Sequence, residues 1–148
     1  MSVFDKKLAR LKKFQDFPRL LNKIIKENEQ EILDWNRDQM YEEGIVDVNN
    51  PSSILHYAPS TIKQKKRRAR YKRVDHITLK DQGPFHDNLK LKIESDQFTI
   101  ISTDDKWSKF SSGAWGQGRF KNALGLTKEH MSKLRDLVRS QLILKYRV

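Results

Sequence analysis

At 148 residues the chain is long enough for one hydrophobic core, and it contains no cysteine, which excludes disulfides and thiolate metal centres and suits a reducing cytoplasm. Hydrophobic residues make up 36% and charged residues 33%, so much of the surface must be solvated or face a partner. Of the formal net charge of +11, residues 60–73 supply eight Lys/Arg without an acid, leaving only +3 elsewhere, a localisation that points to an anionic partner.

The N-terminus, Met1-Ser2-Val3-Phe4-Asp5-Lys6-Lys7, lacks the apolar stretch of a signal peptide, and no window approaches ~18 uninterrupted apolar residues. The expectation is a soluble product made and assembled in the cytoplasm, with no membrane partner. Residues 1–15 place Val3, Phe4, Leu8, Leu11 and Phe14 among lysines and Arg10, the pattern of a short amphipathic helix or of an arm that orders on assembly. Asp16 offers an N-cap, with Pro18 in the first turn where a missing N–H costs nothing. From there Leu21, Ile25, Ile32 and Trp35 recur at helical spacings, which predicts one long helix over about 17–43. Gly44 is its expected stop. Asn49-Asn50-Pro51 and Pro59 mark residues 45–59 as loop.

Ser60 or Thr61 can cap a second helix running to about Arg73, weak in isolation because like charges at i,i+4 repel. Leu89, Leu91 and Ile93 alternate with Lys90, Lys92 and Glu94, and Phe98–Ser102 returns after a turn at Asp96-Gln97. That is a β-hairpin over about 88–102 with one buried face. Thr103–Lys106 reads as a further turn, and residues 111–122 as a flexible glycine-rich loop. Gly125 and Thr127 open a C-terminal helix over about 127–146, whose stripe is Met131, Leu134, Leu137, Val138, Leu142 and Tyr146. The class is α+β, one domain over 1–148, with helices packed on a small antiparallel sheet.

Catalytic chemistry is sparse. His76, His86 and Asp87 lack the tight spacing of metal ligands and read as exposed turn residues. Ser111-Ser112-Gly113 has no nucleophile-elbow context, while Glu42-Glu43 and Asp104-Asp105 read as solvated pairs. Gly113–Gly118 is not followed by the Lys-Ser/Thr of a phosphate-binding loop. The expectation is a protein without enzymatic activity, cofactor or metal. Trp35, Trp107, Phe85, Phe98 and Phe110 are assigned to the core or to subunit contacts.

The strongest physical signal is the basic run of Lys63, Lys65, Lys66, Arg67, Arg68, Arg70, Lys72 and Arg73. It suits either a DNA phosphate backbone, bound without base readout, or an acidic neighbouring subunit. A solvated run without a partner is the third reading. In the glycine loop Trp115 is either an anchor on a neighbour or folded onto its own core, and Arg119 and Phe120 share the candidate inter-subunit contact.

Three landmarks follow one another in order: Tyr57-Ala58-Pro59-Ser60-Thr61, then Ile77-Thr78-Leu79-Lys80-Asp81-Gln82-Gly83-Pro84-Phe85, then Arg119-Phe120-Lys121-Asn122-Ala123-Leu124-Gly125-Leu126-Thr127. Over roughly residues 30–148 this layout resembles the tail-completion, or virion-morphogenesis, proteins of tailed phages and prophages. The resemblance implies a structural protein at the head–tail junction or upper tail, within the virion. It would assemble as a ring of copies around a DNA channel beside neck, tail and portal proteins. The alternatives are a non-specific nucleic-acid-binding protein using residues 63–73 and, more remotely, a small nuclease.

Overall fold

The computed structural model describes residues 2–68, 73–80, 83–94 and 97–146, without the side chains of residues 10–15 and 146. Helix α1 spans Val3–Gln15, α2 Phe17–Glu27, α3 Glu29–Tyr41 and α4 Pro59–Arg68. The short α5, Pro84–Asp87, leads into strands β1, Leu89–Ile93, and β2, Phe98–Ser102. Helix α6 covers Asp105–Ser111, a 3₁₀ turn covers Gly116–Gly118, and α7 runs from Lys128 to Tyr146. The mixed helix-and-sheet class therefore holds.

The single long helix expected over 17–43 does not form. Asn28 divides it into α2 and α3, with φ −106° and ψ 17°. Its amide Nδ2 donates to the Ile24 carbonyl at 2.7 Å and to Gln141 Oε1 on α7 at 3.1 Å, while Gln141 donates back at 3.3 Å. A side chain that competes for the backbone and is also held by another helix bends the chain there. The bend lets α2 lie along α7, where Lys145 meets Glu27 at 3.2 Å. Asp16 makes no side-chain cap, because α1 ends beside it and the backbone enters α2 already near-helical.

The hairpin follows its alternation. Antiparallel pairing sets Leu89 opposite Ser102, Leu91 opposite Ile100 and Ile93 opposite Phe98, so one face meets the core. Glu29 on α3 closes the outer edge of β1 by accepting the Leu91 N–H at 3.2 Å, which satisfies a donor the two-stranded sheet leaves open. Core residues Ile32, Leu33 and Met40 of α3 pack with Val46, Phe85, Leu89, Leu91, Ile100 and Leu134.

Helix α6 was not expected from the turn-like Thr103–Lys106. Asp104 caps it by accepting the Lys106 N–H at 2.9 Å. The helix delivers Trp107 and Phe110 to an aromatic cluster around Phe85, with Phe85–Phe110 centroids 5.4 Å apart and Phe110–Phe120 5.3 Å apart, both edge-to-face.

Gly44 ends α3 as expected, at φ 70°, and a Cβ built there would lie 2.7 Å from the buried His76 ring. Gly44→Ala is expected to cost about 2 kcal/mol through left-handed strain and that clash, read as a lower urea midpoint with unchanged slope.

A cationic helix beside an apolar cleft

Helix α4 starts at Pro59, in the Tyr57–Thr61 landmark, and carries the described part of the basic run. Lys63, Lys66, Arg67 and Arg68 are exposed, and among the described residues none of them has an ion-pair partner. Arg70 and Lys72 lie outside the described residues. Two members of the run leave the free set. Lys65 is only 8% exposed, its ammonium donating to the Lys80 carbonyl at 3.2 Å and lying 4.7 Å from the Tyr57 ring centroid. Its long stem faces the body of the protein, so it holds α4 in place rather than presenting charge. Arg73 binds Glu42 at 2.6 Å and Asp75 at 2.9 Å. Its guanidinium in turn holds the Asp75 carboxyl below the usual carboxylate range.

The candidate contact in the glycine loop divides as well. Phe120 is 7% exposed and packed edge-on against Phe110, so its side chain belongs to the core and is not a surface contact. Gly116 lies over that ring, where a Cβ would collide with Phe120. Trp115 is 44% exposed, with the edge-on Phe110 ring 5.9 Å away and the Lys109 ammonium 4.2 Å over its ring. Arg119 is exposed, its Nε donating to the Gly116 carbonyl at 2.9 Å. Hydrogen-bonded turns order this stretch, from Trp115 N–H to the Lys109 carbonyl at 3.1 Å and from Arg119 N–H to the Gly116 carbonyl at 3.0 Å.

Between α4, the Ile77–Lys80 segment, α6 and Trp115 lies an open cleft of about 550 Å³. Ile77, Leu79, Phe110 and Phe120 supply apolar surface, while Arg68, Lys80 and Lys106 stand around it, and no carboxylate occurs among its described lining residues. Sequence reasoning found the cations but not the cleft, because Lys106 and Phe110 reach it only through α6.

His76 and His86, read as exposed turn residues, are buried. Nε2–H of His76 donates to the Tyr41 carbonyl at 2.7 Å, and Nε2–H of His86 to the Thr78 carbonyl at 2.9 Å. Burial drives the His86 pKa down from 6.5 to about 4, against the raising effect of the Thr78 bond, so the ring is neutral near pH 7. Tyr57 closes this region: its hydroxyl lies 3.1 Å from Thr78 Oγ1 and accepts the Thr78 N–H at 3.0 Å. The histidines thus tie the second landmark to its surroundings. Among the described residues no group of three or more His, Asp or Glu could hold a metal ion. No described helix is long and apolar enough to cross a membrane.

The third landmark is held by α3. Asn36 Nδ2 donates to the Ala123 carbonyl at 3.1 Å and its Oδ1 accepts the Gly125 N–H at 3.0 Å. One turn on, Gln39 Nε2 donates to the Gly125 carbonyl at 3.0 Å. Gln39 Oε1 accepts from Thr127 N–H at 3.1 Å and from His130 Nδ1–H at 2.7 Å. Two buried amides thus read the backbone of 123–127 as a neighbouring strand would, and Thr127 Oγ1 accepts the His130 N–H at 3.3 Å to start α7.

No protein-family model, curated protein or solved structure matches this chain.

Proposed function

We propose that the chain is a structural subunit of a tailed-phage or prophage particle, placed at the head–tail junction or upper tail and forming a ring around the DNA channel. The order of the three landmarks is the sequence support. The physical observation that carries the reading is exposed apolar surface on α1 and α7 together with a cationic helix, α4. Val3 and Phe4 on α1 are each 73% exposed, and Leu144 near the end of α7 is 79% exposed. Exposed apolar side chains on two different helices suit contacts between copies, and contacts between unlike patches make a ring when the rotation from copy to copy closes. A ring also sums the charge of α4 over its copies into a positive annulus.

The test is the mass in solution of the purified chain, alone and with portal and tail-tube neighbours, together with its presence in particles. A closed oligomer, alone or with those neighbours, is expected. A monomer under every condition, absent from particles, overturns the reading.

The second reading is non-specific nucleic-acid binding, favoured by the exposed Lys63, Lys66, Arg67 and Arg68, which have no ion-pair partner among the described residues. Four phosphate contacts predict a slope of about −3.6 for the logarithm of duplex affinity against the logarithm of salt concentration. A slope near zero removes DNA as a direct ligand.

A further inference from the structure

We infer that the cleft between α4 and α6 is a docking site for an acidic segment of a different protein, one that inserts an apolar or aromatic side chain between flanking carboxylates. The inference deepens the particle reading by giving the α4 face a partner chemistry, but it stands on the cleft's own geometry.

The floor and rim ask for different things. The floor offers Ile77, Leu79 and the edges of buried rings, a surface that gains by losing water. The rim offers Arg68, Lys80 and Lys106. No carboxylate occurs among the described lining residues, so an occupant that brings carboxylates complements this rim. An apolar anchor with acids on either side meets both demands at once.

Two other occupants fit less well. A second copy would bring its exposed apolar residues with the wrong charge. Phe4 and Leu8 lie on α1, whose sequence has Asp5 against Lys6, Lys7, Arg10, Lys12 and Lys13, and Leu144 is followed by Lys145 and Arg147. A single-stranded nucleic acid would supply phosphates, but its bases need open aromatic faces to stack on. Here the rings are already engaged by cations: Tyr57 by Lys65 at 4.7 Å, Trp115 by Lys109 at 4.2 Å and Phe120 by Arg119 at 5.7 Å. Phe110 already packs at steep angles against Phe85 and Phe120, with centroids 5.4 and 5.3 Å away. A peptide anchor requires only apolar volume, which the cleft retains.

The probe is a fluorescein-labelled peptide with a central Leu-Phe-Leu between runs of glutamate, titrated with the full chain and followed by anisotropy. Affinity is expected to fall about tenfold or more when the centre becomes Ser-Gly-Ser, and by a similar factor when the flanks become lysine. In the protein, the Arg68→Ser/Lys106→Ser double variant and, separately, Trp115→Ala should each weaken binding about tenfold, with the circular dichroism spectrum unchanged. Equal binding of the leucine-phenylalanine and serine-glycine peptides to the unaltered protein overturns the proposal, since the face would then be a simple polycation. So does tighter binding of a labelled single-stranded oligonucleotide than of the acidic peptide. Neither outcome touches ring formation, so this inference can fail while the particle reading stands.

Discussion

Replacing Gln39 by leucine is expected to destabilise the fold by about 4 kcal/mol, because one fully buried side chain serves three partners. Its amide donates to the Gly125 carbonyl and accepts from the Thr127 N–H and the His130 ring. Leucine keeps much of the volume but leaves the Gly125 carbonyl and the Thr127 N–H without this partner, and His130 Nδ1 with only the longer 3.3 Å contact to Thr127 Oγ1, at about 1–3 kcal/mol for each lost bond before the structure relaxes. The measurement is urea unfolding, with a melting temperature lowered by about 10 °C as its thermal counterpart. Asn36→Leu should cost less, since it strands only the Ala123 carbonyl and the Gly125 N–H. A loss below about 1 kcal/mol for Gln39→Leu would mean that water reaches residues 123–127 and that α3 does not hold this segment.

The second large effect is a loss of stability in mild acid. His86 is neutral when folded, with its pKa down at about 4, whereas an unfolded histidine takes up a proton near 6.5. The sign follows directly: above about pH 6.5 neither state is protonated, and the full stability is present. Between about 6.5 and 4 only the unfolded chain gains the proton, so stability falls with pH, and below about 4 both states carry it and the loss levels off. The gap corresponds to about 3 kcal/mol. Glu29 and Asp75, lowered by their bonds to Lys26 and Arg73, add an acid loss that sets in as pH falls into the ordinary carboxylate range, overlapping the lower end of this window. His86→Gln keeps a donor for the Thr78 carbonyl without a titrating ring. Its unfolding free energy, measured across pH 4 to 7, should therefore lack most of the slope seen in the parent chain. An unchanged slope in that variant would place the titrating group elsewhere.

Much of the local structure was legible from single segments. The hairpin was read with its buried face and ends because strand alternation has a period of two and needs no knowledge of distant residues. The α7 stripe and the Gly44 stop were legible for the same reason. The division at Asn28 was not, because its decisive partner, Gln141, lies 113 positions away. Helix α6 was missed because seven residues, Asp105–Ser111, are too few for periodicity to register, and Asp104 reads equally well as a turn or a cap. The candidate site was legible as charge and illegible as shape. Eight cations were visible as a run, but nothing local marked Lys65 for burial or Arg73 for Glu42 and Asp75.

Composition and pattern alone established a cysteine-free chain with a concentrated positive segment, a hairpin with one apolar face and an amphipathic final helix. These are properties of neighbouring residues, and short-range physics suffices to read them. Which histidines are buried, which cations stay free and where an apolar cleft opens beside them came from long-range packing. Each depends on two or more segments meeting: α3 with residues 123–127, Tyr57 with Thr78, α4 with α6. A side chain's charge is written at its own position, whereas its exposure and partners belong to whatever the folded chain sets against it.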